Sequence, residues 1–262
     1  MFNLNGKTAL VIGGETGIGR AVSTTLARAG ASVCVAGILK DEGQATVDAV
    51  RAEGHKARFS YVDVRDSKLV AEVVRTAPGE NEGLDVLVYC AGVFDNMVGC
   101  VDTTEVLWDQ LIDINLKGCF LANKAVLELM LPRRVGRIIN LASIASFTAS
   151  ADGFPYTVSK HALIGLTKHI ARRYASEGIN CNCVCPGVIE TNIVSNTSRI
   201  LGEDLPAIKK EQFTGEGWKK WVPQGRQGNP EEVADLVLFL AAGNSTYING
   251  QAIVIDGGWL TA

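Results

Sequence analysis

No stretch of this chain approaches the roughly 20 consecutive apolar residues that a bilayer-spanning helix needs. Met1 to Lys7 also lacks the basic start and apolar run of a secretory signal, so the expected location is cytoplasmic, with no membrane partner. A basic surplus is missing too. The 25 Lys and Arg stand against 28 Asp and Glu, for a formal net charge of −3, which removes the electrostatic footprint of a nucleic-acid binder. Seven cysteines, an odd number in a long chain, do not form the disulfide framework of a small secreted domain and are expected to be reduced. Cys181, Cys183 and Cys185 alternate along a strand and so point to one face, as a metal site would require. No fourth Cys or His lies nearby in the sequence, and strand neighbours are spread too far to converge unaided. They read as three small core side chains, and no metal is expected. Polar linkers rich in Pro, Gly or Ser are absent as well, so residues 1–262 are expected to form a single domain.

What the chain does contain is 47% hydrophobic residues with 20% charged, enough for a large core. Short runs rich in Val, Ile and Ala alternate with longer helix-like stretches, as in parallel strands covered on both faces by crossover helices. Candidate strands are Lys7 to Ile12, Ser32 to Ala36, Ala57 to Val62, Asp85 to Tyr89, Arg137 to Leu141, Asn180 to Cys185 and Ala252 to Ile255. Helical patterns fall at Ile18 to Ala29, Asp41 to Glu53, Ser67 to Arg75, Thr104 to Leu131, Pro155 to Glu177 and Pro230 to Ala241. The expected fold class is α/β, a doubly wound parallel sheet of about seven strands with helices on both faces. Residues 190–229 break the rhythm, being too long for an ordinary connection. With Phe213, Trp218 and Trp221 among Lys209, Lys210, Lys219 and Lys220, this segment reads as a substrate lid or as an amphipathic surface helix.

The first candidate strand runs into Gly13-Gly14-Glu15-Thr16-Gly17-Ile18-Gly19, which opens directly into a helix. Glycines let the backbone turn tightly and approach a pyrophosphate, while the free N–H groups and positive dipole of the helix start favour the anion. The spacing Gly-x-x-x-Gly-x-Gly resembles that of the short-chain dehydrogenase/reductase family, whose fold is of the Rossmann type. Further matches follow in order: Asp63-Val64, resembling the pair that contacts adenine; Ala91-Gly92, resembling the end of an Asn-Asn-Ala-Gly motif; and Pro186-Gly187, followed by Val188, Ile189 and Thr191. By the resemblance Thr191 binds the nicotinamide carboxamide, and Asp256-Gly257-Gly258 closes the chain as in many members. Three positions depart from the pattern. Ile12 replaces a Thr that ties the turn down, Tyr89 and Cys90 replace two Asn that link the central strand to nearby loops, and Gly37 has no side chain where many relatives carry an acid.

Tyr156-Thr157-Val158-Ser159-Lys160 matches the family's Tyr-x-x-x-Lys, with Ser143 at the end of the preceding strand and Asn115 in the long helix before it. Four residues on a helix set Tyr156 and Lys160 on one face. A cation about 4 Å away contributes roughly 4 kcal/mol at an effective dielectric of 20, or about three pKa units, which would bring a phenol from near 10 to near 7. The resemblance implies that Tyr156 exchanges a proton with the carbonyl or alcohol oxygen and that Ser143 hydrogen-bonds the same oxygen. It also implies that Lys160 holds the nicotinamide ribose and that Asn115 supports a proton-relay water.

Candidate substrate-pocket residues are Phe94, Ile144, Phe147, Phe154 and Trp218, an apolar set with Asp95 and Asp152 nearby and no Arg or Lys. They point to a neutral secondary alcohol or its ketone. A 3-oxoacyl thioester reductase and a non-catalytic dinucleotide-sensing regulator are the other readings. No cation stands at Glu15, Thr16, Gly37 or Ile38, so NAD is expected over NADP, and a change of Gly37 to Asp is expected to tighten NAD. The resemblance further implies a homotetramer or homodimer built on the helices 104–131 and 155–177.

Overall fold

The computed structural model describes residues 2–78, 83–149, 152–207, 220–243 and 246–261. Its seven strands are β1 (Thr8–Ile12), β2 (Ser32–Gly37), β3 (Ala57–Tyr61), β4 (Val86–Tyr89), β5 (Gly136–Leu141), β6 (Ile179–Pro186) and β7 (Ala252–Ile255). They form one sheet in the order β3-β2-β1-β4-β5-β6-β7, and every pairing is parallel. The order reverses between β1 and β4, and in such sheets the crevice beyond the strands' carboxyl ends at that reversal is where ligands sit.

Alternation along each strand builds two cores. Ala9, Val11, Val33, Val35, Val86 and Val88 face helices α1 (Gly17–Arg28), α2 (Lys40–Ala52) and, near the C-terminus, α8 (Pro230–Ala241). Leu10, Ile12, Cys34, Leu87 and Tyr89 face the other side, covered by α3 (Ser67–Thr76), α4 (Glu105–Leu111), α5 (Gly118–Met130) and α6 (Phe154–Tyr174). Cys181, Cys183 and Cys185 are fully buried in this second core, as small apolar residues of a period-2 strand should be. Local chemistry sets the helix starts. The Asp66 carboxylate accepts from the backbone of Lys68 and Leu69 at the head of α3, and Asn229 with Glu232 forms a capping box ahead of α8.

Two features differ from the sequence expectation. The stretch expected as one helix over 104–131 is interrupted by a π-helical turn, Ile112–Lys117, which carries Asn115. Within the expected lid, Ile193–Leu201 forms an amphipathic helix, α7, with Thr197 and Leu201 buried. Residues 208–219 of that segment, including Phe213 and Trp218, lie outside the described residues.

Candidate active site

The glycine-rich turn takes its shape from close contacts. Gly13 has φ +77°, and a Cβ there would lie 2.4 Å from the Ala91 nitrogen; one at Gly19 would lie 1.8 Å from the Gly13 carbonyl oxygen. No other residue type fits at either position. No side chain caps the start of α1, so its first N–H groups face the crevice without a protein partner from Thr16. One cleft is lined by Gly13, Glu15, Thr16, Gly17, Ile18, Gly19, Gly37, Asp63, Val64, Ala91, Gly92 and Thr191, each of them expected from the sequence. Val188 and Ile189 instead line a neighbouring hollow with Arg226 and Asp256, while Pro186 ends β6 and the Gly187 N–H is bonded to the Ile255 carbonyl.

Sequence reasoning missed part of the lining. Arg65 lines the cleft and grips Asp63 through paired contacts, Nη2 to Oδ2 at 2.6 Å and Nε to Oδ1 at 2.9 Å. Ile193, Asn196 and Ile200 come from α7, whose apolar spacing within 190–229 was the available signal. Asn196 Nδ2 donates to Thr16 Oγ1 at 3.0 Å, Thr197 Oγ1 accepts from the Phe94 N–H at 3.0 Å, and Arg199 pairs with Glu42 of α2. These contacts close α7 over the glycine-rich turn.

The departures Tyr89 and Cys90 leave the central strand better tied than expected. The Tyr89 hydroxyl, fully buried, donates to the Ile114 carbonyl at 2.6 Å, inside the π-helical turn. A π turn disturbs the regular i to i−4 bonding, and Tyr89 supplies a partner for one of its carbonyls. The same hydroxyl accounts for Gly118, where a Cβ would come within 2.5 Å of it. At Cys90 and Ala91 the backbone N–H groups bond the Ile12 carbonyl at 2.7 and 2.9 Å, so the turn is anchored without a hydroxyl at position 12.

Behind the Gly92 wall of the cleft, Asn115, Ser143, Tyr156 and Lys160 come together, all buried. Asn115 Oδ1 accepts from the Val93 N–H at 2.8 Å, and its Nδ2 donates to the Val93 carbonyl at 3.0 Å and to Ser159 Oγ at 3.1 Å. A Cβ on Gly92 would sit 3.4 Å from Asn115 Oδ1 and 3.6 Å from Lys160 Nζ, so the cleft wall reaches both groups. Ser143 Oγ accepts from the Ala145 N–H at 3.1 Å, and its hydroxyl stands close enough to the Tyr156 phenol to favour the ionised form. Tyr156 is held at its backbone by Asp95, whose Oδ2 accepts the Tyr156 N–H at 2.9 Å, and at its ring by Phe94, edge to face at 5.2 Å. Asp95 is itself fully buried, an acceptor brought from a distant loop to the first turn of α6.

The electrostatics correct one expectation. Burial pushes the Tyr156 phenol well above its ordinary value, the charges of Asp152 and Asp95 push it further, and the nearby Ser143 hydroxyl only partly offsets them. Lys160 does not draw the phenol toward neutrality here. Its Nζ donates to the Leu141 carbonyl at 2.9 Å and lies 5.5 Å from the centre of the Tyr156 ring, and burial lowers its own pKa to about 8. Burial, with Asp95 adding, raises Asp152 to about 6.

Of the expected pocket residues, Phe94 stands beside Tyr156, while Ile144 packs into a small cluster with Val222 and Trp259. Phe147 is half exposed, and Phe154 is stacked on Trp108 of α4 at 5.5 Å. Trp221, largely exposed, is stacked at 6.1 Å on Trp259 of the Ile144 cluster.

A family model described as enoyl-(acyl carrier protein) reductase matches residues 12–260. The chain is 38% identical to an uncharacterized oxidoreductase, YxbG, of Bacillus subtilis, covering 98% of this chain and 92% of that protein. It is 37% identical to 2-keto-3-deoxy-L-fuconate dehydrogenase of Xanthomonas campestris pv. campestris, over 98% and 81% of the two chains. Among solved structures it is similar to a variant of actinorhodin polyketide ketoreductase with NADPH, with a TM-score of 0.85, 30% identity and 97% of each chain covered.

Proposed function

Because the chain belongs to the short-chain dehydrogenase/reductase family of oxidoreductases, we propose that it interconverts a neutral secondary alcohol and its ketone, with Tyr156 as general acid and base. The observation that carries this reading is that Ser143, Tyr156 and Lys160 meet behind Gly92, which lines a cleft that also holds an uncapped helix start and a glycine-rich turn. That helix start, and the buried Glu15 carboxylate oxygen that meets no donor among the described residues, suit a dinucleotide's pyrophosphate and a hydroxyl-bearing group beside it. When bound, the nicotinamide ring supplies or accepts the hydride.

The protein's own groups move the proton. A phenol kept neutral by burial is a proton donor, and Tyr156 delivers its proton to the ketone oxygen as charge develops there. Ser143 holds the same oxygen from its other side. Lys160 sits near the phenol as a buried cation close to its titration point, able to pass a proton to the Tyr156 phenolate and to regain one from solvent through a water supported by Asn115, which approaches the same wall at Gly92. The loops around Tyr156 carry Phe94 and Phe147 with Asp152, while Asp95 is buried on the Tyr156 N–H; such surroundings suit an uncharged substrate better than a carboxylate or phosphate.

NAD is the coenzyme in this reading. The whole chain works as one unit, with α7 (Ile193–Leu201) as a lid on the cleft. Val106 and Phe120, about half exposed on α4 and α5, fit a helix-to-helix contact between subunits. Light scattering should give a dimer or tetramer, and a strict monomer would remove that part of the proposal. The reaction itself is tested by a panel of neutral secondary alcohols, ketones and 3-oxoacyl thioesters with both coenzymes. Turnover confined to the thioesters, or nucleotide binding without turnover of any class, would reject the proposal.

A further inference from the structure

We infer that Glu15, reaching from the glycine-rich turn into the space a side chain at Gly37 would fill, is the carboxylate that selects the unphosphorylated adenosine ribose of NAD. The inference rests on the reading of the cleft as a dinucleotide site. A Cβ built on Gly37 would lie 1.9 Å from Glu15 Oε2 and 2.1 Å from Oε1, so the two side chains compete for one volume and the glycine is what admits the glutamate. Only 6% of Glu15 is exposed. Its Oε1 accepts from the Ile38 N–H at 3.2 Å, and its Oε2 is buried without a hydrogen-bond partner. Its backbone carbonyl is bonded by Thr46 Oγ1 at 3.0 Å, which fixes the turn that carries it to α2.

A buried acceptor left unmatched is costly unless something arrives to meet it. Glu15 and Gly37 both line the cleft at the carboxyl end of β2. A vicinal diol there donates two hydrogen bonds to one carboxylate, whereas a phosphate on one of its oxygens brings nearly two negative charges against it. The neighbouring cations do not offset that repulsion freely. Lys40 lies over the Tyr61 ring at 4.7 Å, Arg65 is paired with Asp63, and Arg199 is paired with Glu42. Burial raises the Glu15 carboxyl above its ordinary range, against the backbone N–H groups of Glu15, Leu39 and Ile38, so a diol donor is what this group lacks.

Position 37 therefore behaves otherwise than its sequence suggests. An Asp placed there meets Glu15 rather than empty space, so Gly37→Asp alone should not tighten NAD, contrary to the sequence expectation.

The test is equilibrium binding by calorimetry, with NADH, NADPH, AMP and 2′-AMP as probes, on the wild type, Glu15→Gln, Glu15→Ala and the double variant Glu15→Ala with Gly37→Asp. The wild type should bind NADH and AMP at least tenfold more tightly than NADPH and 2′-AMP. Each single Glu15 variant should shrink that ratio by about tenfold or more, a charge-assisted bond being lost. The double variant should restore most of the ratio, because the carboxylate returns from the strand end. Unfolding midpoints of the ligand-free Glu15→Gln protein should equal or exceed the wild type, which separates loss of recognition from loss of fold. An unchanged NADH-to-NADPH ratio in Glu15→Gln, or a wild type that prefers NADPH, overturns the assignment while leaving the dinucleotide site intact. A wild type that binds none of the four probes overturns both.

Discussion

The Tyr156 hydroxyl is the group on which the proposed chemistry turns, and the structure separates its reactivity from its packing. Its ring stays against Phe94 and its backbone on Asp95 whether or not the oxygen is present. Tyr156→Phe should therefore lower turnover by about 10²–10⁴-fold while moving the coenzyme dissociation constant by less than about twofold. Steady-state rates beside fluorescence titration check this, and retention of most activity would rule Tyr156 out. Lys160 adds a pH signature. Burial holds its folded pKa down at about 8, so the cation disappears as pH rises through that value. In ketone reduction, where Tyr156 stays neutral across the same range, kcat/KM should fall above pH 8. Lys160→Arg keeps its charge throughout and should lose that alkaline limb, at a lower peak rate. A limb unmoved by the substitution would belong to another group.

Elements, not single residues, set where Asn115 stands. The π turn between α4 and α5 puts an extra residue into the helix, turning Asn115 toward the backbone of Val93 and the Ser159 hydroxyl. Tyr89, at the end of the central strand β4, anchors that turn from below. Tyr89→Phe keeps the ring and leaves the Ile114 carbonyl buried without this donor, so stability should fall by about 1–3 kcal/mol. The midpoint of thermal unfolding should drop accordingly, with a smaller loss of activity as Asn115 loosens. A midpoint equal to the wild type would mean that the turn holds itself. Asp95 is the corresponding device for α6, a carboxylate from the loop after β4 placed on the first turn of the helix that carries Tyr156. Gly153 leaves it room, since a Cβ there would lie 2.2 Å from Asp95 Oδ1.

For the molecule as a whole, the crevice at the β1 and β4 reversal is bounded on one side by the sheet and on the other by α7. Three links hold α7 down, from Asn196 to Thr16, Thr197 to Phe94 and Arg199 to Glu42. The Arg199 pair lies at the surface, where ion pairs add about 0–1 kcal/mol, so Arg199→Ala should scarcely change the unfolding midpoint. It should speed coenzyme release several-fold, because α7 covers the cleft and opening it becomes easier. Stopped-flow displacement measures the rate, and an unaltered rate would show that release does not pass beneath α7. No helix among the described residues is long and apolar enough to cross a membrane.

Patterns of short range carried the strands, the helix faces, the glycine-rich turn and the pairing of Tyr156 with Lys160, because period, turn chemistry and spacing are properties of neighbouring residues. The strands of the sheet were legible to within a residue or two for this reason. What the sequence could not hold was how distant segments share space. Gly37 read as a missing acid until the fold brought Glu15 into its volume, and Tyr89 read as a lost polar link until the fold set its hydroxyl under Ile114. The phenol pKa was inferred from a partner one helical turn away, yet it is governed by burial and by Asp152 and Asp95, since desolvation depends on everything packed around a group. Chemistry that depends on neighbours in sequence is written in the chain; chemistry that depends on volume and solvent is decided only when the chain has folded.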